Sequence, residues 1–243
     1  MRDWICGFFM AWGMSLAIPC PRKIWSESAR QKMLVCMPLV GLLAGGVWAG
    51  AWLLMRGAPG PVRAAVCAAA PWLVTGFMHL DGYMDVCDAV LSRRDLATRQ
   101  RILKDSHCGA FAVICMVLLA MGQWSLFLAA EDVSWLGLLL IPAATRACAG
   151  LAVLGLRPMG TSQYAAMGPA RGGYGAALWV LLALSVGLPL WLGGSFGPLA
   201  AAAGYGLAVW YGYRNLDGMS GDISGFALTL GELCGCGAAI LWR

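Results

Sequence analysis

Asp81, Asp85 and Asp88 stand in the stretch GFMHLDGYMDVCDAV, Gly76 to Val90, at the end of an apolar run in a chain that otherwise avoids charge. On a helix, spacings of four and then three residues put all three on one stripe, spread over about 10 Å at 1.5 Å per residue. Carboxylates that close repel one another, and they stay ionised at neutral pH only if something positive compensates them. Hard divalent cations prefer all-oxygen ligation, and Mg²⁺ bridging carboxylates and substrate phosphates is the most economical compensation. A solvated helix end, with Arg93 and Arg94 as partners, is the plainer alternative. Ionisable groups at membrane depth are costly and usually functional, which favours the metal reading.

Two further polar clusters sit at predicted helix starts. In RILKDSHCGAF, Arg101 to Phe111, the residues Lys104, Asp105, Ser106 and His107 precede Gly109. Exposed N–H groups and the positive dipole end there favour a phosphate, while a simple cap by Asp105 or Ser106 accounts for the same residues without a ligand. In NLDGMSGDISG, Asn215 to Gly225, Gly218 and Gly221 permit close backbone approach and Ser220 and Asp222 offer oxygens. The helix predicted from near Ile223 again presents N–H groups.

Arg146 and Glu232 lie deeper in apolar segments. Neither tolerates lipid, so both are expected to face the bundle interior, paired with each other or with the carboxylate site. LRPMG, Leu156 to Gly160, adds Arg157, either as a substrate contact or as a snorkelling arginine. Together these clusters suggest a pyrophosphate held through Mg²⁺ and attacked by a second substrate.

The elements that must position these residues are membrane helices. With 60 % hydrophobic residues, 12 % charged and a mean hydropathy of +0.72, the chain of 243 residues reads as one all-α, polytopic integral membrane bundle, a single catalytic domain over 1–243. Crossing a hydrocarbon core takes about 20 helical residues. Stretches near 33–55, 62–79, 109–130, 135–156, 174–193, 197–213 and 224–242 are long enough, giving about seven transmembrane helices. The segment MRDWICGFFMAWGMSLAIPCP is interrupted by Pro19 and Pro21 and lacks a small-residue cleavage pattern, so it is expected as an interfacial or re-entrant helix rather than a cleaved signal.

Basic loops stay cytoplasmic, which sets the orientation. Arg2, Arg22, Lys23, Arg30 and Lys32, and then Arg93, Arg94, Arg99, Arg101 and Lys104, place the N-terminal segment and the loop near 80–108 inside. The segments near 157–173 and 214–223 then share that side, whereas Glu131, Asp132, GGSFG and the C-terminus face out, with Arg56 and Arg63 as outnumbered exceptions. The net charge of +5 is a topology signal first and a mark of anionic lipid or substrate second. The ten cysteines sit mostly inside apolar runs without metal-site spacing and read as small buried hydrophobes. No nucleic-acid motif is present; membrane lipid and a homo-oligomeric partner are both compatible with such a bundle.

With these residues in place, the chain resembles the cobalamin synthases, the adenosylcobinamide-GDP ribazoletransferase family, over nearly its whole length. PLVGLLAGG from Pro38 is similar to the family's first-helix pattern, GFMHLDGYMDVCDA to its HLDG-x-x-D-x-x-D signature, and LKDSHCGAF to the K/R-D-S-x-x-G element that follows. RPMG at Arg157, GMSGDISG and LGEL at Glu232 complete the series in order. The resemblance implies displacement of GMP from adenosylcobinamide-GDP by alpha-ribazole or its 5'-phosphate, with Mg²⁺, in a bacterial or archaeal cytoplasmic membrane with the active site facing the cytoplasm. It also implies metal acids at Asp81, Asp85 and Asp88, further metal oxygens from Asp105 and Asp222, and phosphate contacts from Lys104, Arg146 and Arg157. Ser106, Ser220 and Glu232 fall in the same motifs as substrate-binding candidates, and His79 or an aspartate would take the proton of the attacking hydroxyl. Ala89, His107, Ser220, Thr229 and Ala17 depart from residues frequent in the family, which bears on substrate preference more than on reaction class.

Three other readings compete. A CDP-alcohol phosphotransferase also displaces a nucleotide at membrane aspartates, but its D-G-x-x-A-R spacing is missing after Asp81-Gly82, where Tyr83, Met84, Asp85 and Val86 follow. An aspartate-rich intramembrane prenyltransferase needs two such motifs. A divalent-cation transporter would want charged or helix-breaking positions through both leaflets, and here the acids crowd on one predicted side.

Overall fold

Apolar runs leave the backbone no polar partner but itself, and in the computed structural model the long runs are helical, one of them broken in two. The structure describes residues 2–160, 162–167, 172–193 and 195–242. Parts of the predicted 157–173 loop, the Gly194 of GGSFG and the C-terminal residue lie outside them.

In chain order the helices are α1 (Arg2–Ser15), α2 (Arg30–Leu54), α3 (Gly60–Val74), α4 (Met78–Leu91), α5 (Leu96–Ile102), α6 (Ala110–Ala129), α7 (Trp135–Gly155), α8 (Tyr174–Gly193), α9 (Gly197–Leu216) and α10 (Gly221–Leu241). No strand occurs among the described residues, only an isolated bridge between Pro158 and Met219. The architecture is the helical membrane bundle expected from composition. By length and apolarity five helices can cross a bilayer, or six if α3 and α4 form one broken span. The expected count of seven is therefore not reached: α9 has the length, at 20 residues, but its glycines, alanines and tyrosines leave it less apolar than the others.

Small residues set the closest approach. At the crossing of α2 and α7, a Cβ on Gly41 would stand 2.6 Å from the Pro142 carbonyl oxygen, and one on Gly45 would overlap the Leu139 carbonyl. Close backbone contact of this kind is how membrane helices associate without a hydrophobic drive between them. Further along, Gly150 of α7 lies against the Leu34 carbonyl, so the start of α2 and the end of α7 share one end of the bundle. Helix α1 packs on that part of α2, with Lys32 Nζ donating to Asp3 Oδ2 at 2.6 Å.

The opposite end is closed by arginines that sequence counting treats as exceptions. Arg56 pairs with Asp132 at 3.4 Å, and Arg63 donates to the Ala130 carbonyl at 3.1 Å while its guanidinium lies over the Trp52 ring.

One departure from the sequence reading shapes the site. The stretch near 62–79 is not a single helix that the three aspartates continue. Helix α3 ends at Val74, Gly76 and Phe77 both take positive φ of 60° and 63°, and α4 restarts at Met78 bent by 91°. Glycine adopts this left-handed backbone freely, and two such residues in succession end one helix axis and begin another. The Thr75 hydroxyl, which donates to the Pro71 carbonyl at 2.9 Å, closes the last turn of α3.

Candidate active site

Helix α4 carries the acidic stripe, and small residues decide what it lies beside. A Cβ on Gly82 would come within 2.9 Å of the Asp222 carbonyl, and one on Gly225 would come within 3.1 Å of the His79 carbonyl. These two glycines let α4 and α10 touch backbone to backbone. Stacking of Tyr83 on Phe226, with centroids 5.8 Å apart, and the Thr229 hydroxyl donating to the His79 carbonyl at 3.2 Å extend the same contact. The consequence is electrostatic: Asp222 of α10 is brought within reach of Asp81 and Asp85, and Asp85 also feels Asp88.

Asp81, Asp85 and Asp88 face a cavity of about 240 Å³, whose far wall is the loop before α6, including Asp105, Ser106, His107 and Gly109. The first two sequence clusters thus meet in space. No arginine or lysine among the described residues forms an ion pair with Asp81, Asp85, Asp88 or Asp222. Asp222 has one weak partner, the Ser220 hydroxyl at 3.4 Å. Asp105 is differently placed. It accepts from the His107 N–H at 3.0 Å and lies 2.7 Å from His107 Nδ1, and this pairing holds its carboxyl below the usual range.

Both helix starts differ from those expected of the sequence. Asp105 is occupied by its own turn with His107, so neither it nor Ser106 caps α6; Gly109 is the N-cap and the helix begins at Ala110. The N-terminus of α6 faces the Asp88 carboxylate, which a Cβ on Gly109 would overlap. A carboxylate there is favoured by the same dipole that the sequence offered to a phosphate. At α10 the cap is Ser220, whose hydroxyl accepts from the Ile223 N–H at 3.3 Å.

The remaining candidates lie apart from the acidic cavity. His79 is buried two residues before Asp81, on another face of α4, and does not line it. Lys104 faces a neighbouring cavity. Arg146 of α7 and Glu232 of α10 pair with each other at 2.7 Å in the interior, Arg146 fully buried and Glu232 7 % exposed. Arg157 binds the carboxylate and the carbonyl of Asp217, and with the hydrogen bonds between Met159 and Met219 and between Met219 and Arg157 it straps RPMG to the loop before α10. Asp217 was not singled out from the sequence; a left-handed residue followed by Gly218 is the signal that marks it as the end of α9.

Gly109→Ala follows as a test of this geometry. Gly109 has φ −88°, which alanine accepts, so the new methyl displaces the flexible Asp88 carboxylate rather than the backbone. Thermal stability is expected to change by less than about 1 kcal/mol. Turnover is expected to fall about a hundredfold, the cost of a misplacement of about 1 Å at a reacting centre. Unfolding curves and turnover measured on the same purified variant separate the two effects.

The donor set suits Mg²⁺. Among the described residues no three His, Cys, Asp or Glu side chains converge closely enough to hold an ion by themselves. Mg²⁺ does not ask for that; it keeps several waters and takes one or two carboxylates together with substrate phosphates. Carboxylates without a cationic partner at one cavity provide such a half-site.

The family described as cobalamin-5-phosphate synthase matches residues 7–240. The chain is 31 % identical over 257 residues to the adenosylcobinamide-GDP ribazoletransferase of Clostridium botulinum (strain Alaska E43 / Type E3), with 100 % of each chain covered. To the protein of that name from Clostridium perfringens (strain 13 / Type A) it is 32 % identical over 243 residues, covering 94 % of this chain and 96 % of the relative. A third, from Halalkalibacterium halodurans, is 38 % identical over 155 residues, covering 60 % of this chain and 58 % of its own. No solved structure matches. A match across almost all of the chain, with the acidic helix and both loops inside it, means that this protein belongs to the cobalamin-5-phosphate synthase family.

Proposed function

We propose that the acidic end of the bundle transfers the adenosylcobinamide-phosphate group from adenosylcobinamide-GDP to alpha-ribazole or its 5'-phosphate and releases GMP. The observation that carries this reading is the set Asp81, Asp85, Asp88 and Asp222, gathered by the contact of α4 with α10 and left without a cationic partner among the described residues. Such a set repels a bare diphosphate and suits one that arrives with divalent metal. When bound, Mg²⁺ would supply charge neutralisation for the diphosphate and the departing GMP.

The residues of the chain divide the remaining work. One or two of Asp81, Asp85 and Asp88 would hold the metal, with water and substrate phosphate completing its shell, while Asp222 adds negative charge beside them and Asp105 stays with His107. Ser106 lies on the cavity wall across from the stripe and would orient a phosphate. The acceptor hydroxyl forms a P–O bond to the phosphorus attached to cobinamide, the P–O bond to the GMP phosphate breaks, and the hydroxyl proton passes to a carboxylate facing the cavity. His79 is buried behind the stripe and meets α10 through its backbone carbonyl, which accepts from the Thr229 hydroxyl, so that proton is assigned to a carboxylate instead. Arg157 and Ser220 act on substrate by shaping the loop before α10, and the Arg146–Glu232 pair by fixing α7 to α10 below it.

We also place the acidic end on the cytoplasmic side of the cytoplasmic membrane. The basic clusters support this, because Lys32 at the start of α2 and Arg99 of α5 lie toward the acidic end, while Arg56 and Arg63, fewer in number, lie at the other.

Purified protein reconstituted with Mg²⁺ tests the reaction. GMP release and cobalamin formation are expected only when adenosylcobinamide-GDP and a ribazole acceptor are both present. GMP release without an acceptor would indicate a hydrolase, and metal uptake by vesicles without either substrate would favour the transporter.

A further inference from the structure

A second cavity, of about 680 Å³, lies beside the acidic one and shares Ile102 and Asp105 with it. Its charge is opposite. Arg94, Arg101 and Lys104 line it, on and around the short helix α5. This helix is held in place from the other side: Arg99 donates to Asn215 Oδ1 at 2.9 Å and Gln100 to the Leu216 carbonyl at 2.8 Å.

The acids of this cavity are already engaged. Asp95 accepts from the N–H and the hydroxyl of Thr98 at 3.0 and 2.8 Å, and Asp105 is held by His107. The cations are not. Among the described residues, the side chains of Arg94, Arg101 and Lys104 have no hydrogen-bond or ion-pair partner. Three uncompensated cations around a cavity of this size make a site for an anion that binds without a metal, because guanidinium groups meet phosphate oxygens directly and in pairs.

The two cavities therefore sort phosphates by chemistry. A diphosphate that travels with a divalent ion belongs with the carboxylates. A single phosphate ester belongs with the arginines. Because the cavities share a wall, one acceptor molecule can present its hydroxyl to the first while its own phosphate sits in the second. The names attached to the family and to its relatives, cobalamin-5-phosphate synthase and ribazoletransferase, differ by such a phosphate.

We propose that the basic cavity is a phosphate-ester subsite for the acceptor, in which Arg94 and Arg101, with Lys104, bind the 5'-phosphate of ribazole 5'-phosphate; the proposal rests on the transferase reading above. It makes Arg94 and Arg101, which lie outside the family motifs quoted above, determinants of acceptor preference.

The test compares acceptors. Protein in phosphatidylcholine vesicles with Mg²⁺ and adenosylcobinamide-GDP is given ribazole or ribazole 5'-phosphate, and GMP release gives kcat/KM for each. Wild-type protein is expected to favour the phosphorylated acceptor by about tenfold or more, the worth of a charge-assisted contact. The double variant Arg94→Gln/Arg101→Gln is expected to bring the ratio close to one through a raised KM for the phosphorylated acceptor, and Arg94→Lys/Arg101→Lys to restore part of it. Both arginines are exposed, so these variants test binding rather than folding. A ratio unchanged in the glutamine variant overturns the subsite while leaving the transferase standing, whereas absence of GMP release by wild-type protein with either acceptor overturns the transferase itself. A lipid phosphate offers the same chemistry. If the glutamine variant changes only the response to added phosphatidylglycerol and leaves the acceptor ratio alone, the cations serve the membrane and the proposal fails.

Discussion

Asp85→Asn is expected to lower GMP release by about 10²–10³-fold, the usual cost of removing one preorganised charge-stabilising group from a reacting centre. Asp85 stands in the middle of the stripe, half-buried, facing the cavity and feeling Asp81, Asp88 and Asp222 at once. Asparagine keeps the volume and removes the negative charge, so the helix loses one of the oxygens proposed to hold the metal without a change in packing. Stability should move the other way. Mutual repulsion among the acids weakens the fold, and relieving it is expected to leave the melting temperature unchanged or higher, the trade-off usual at functional sites. Turnover within a few-fold of wild type in a correctly inserted Asp85→Asn protein would remove the role assigned to this residue.

Glu232→Ala is expected to produce the largest loss of stability. Arg146 is fully buried, and its contacts are Glu232 Oε1 at 2.7 Å and the Pro142 carbonyl at 3.2 Å. Its Nε and Nη2 have no partner among the described residues, so little else compensates the charge. Removing one member of a buried pair strands the other, at a cost of about 3–5 kcal/mol. Replacing both with apolar side chains, as in Arg146→Met/Glu232→Leu, should recover most of that loss, because the desolvation cost goes with the charges. Unfolding in detergent micelles compares the three proteins. A double variant as unstable as the single one would mean that Glu232 does not act as the counter-charge.

The acidic stripe was legible in the sequence because helical spacing is local: residues 81, 85 and 88 share a face wherever α4 points. The pairing of Arg146 with Glu232 was also within reach, since two opposite charges in apolar segments have few alternatives to each other. The bend between α3 and α4 was not. Apolarity runs unbroken across Thr75, Gly76 and Phe77, so hydropathy sees one span, and the break depends on two left-handed residues, one of them a phenylalanine that local propensity opposes. The place of Asp222 depends on Gly82 and Gly225, 143 positions apart, meeting another backbone at close range, and nothing in either loop alone announces that. Arg94 and Arg101 were visible as charge but read as topology, and Arg94 also as a partner of the acids, because loop counting records sign and side of the membrane, not the cavity that cations enclose.

In the proposed reaction, carboxylates at one end of the bundle grip a diphosphate through a divalent cation. The most direct measurement is GMP release by reconstituted protein supplied with adenosylcobinamide-GDP and alpha-ribazole, before chelation, in excess EDTA, and after Mg²⁺ is returned. Release should fall to background with EDTA and recover with Mg²⁺. Release that continues undiminished in excess EDTA would contradict the account.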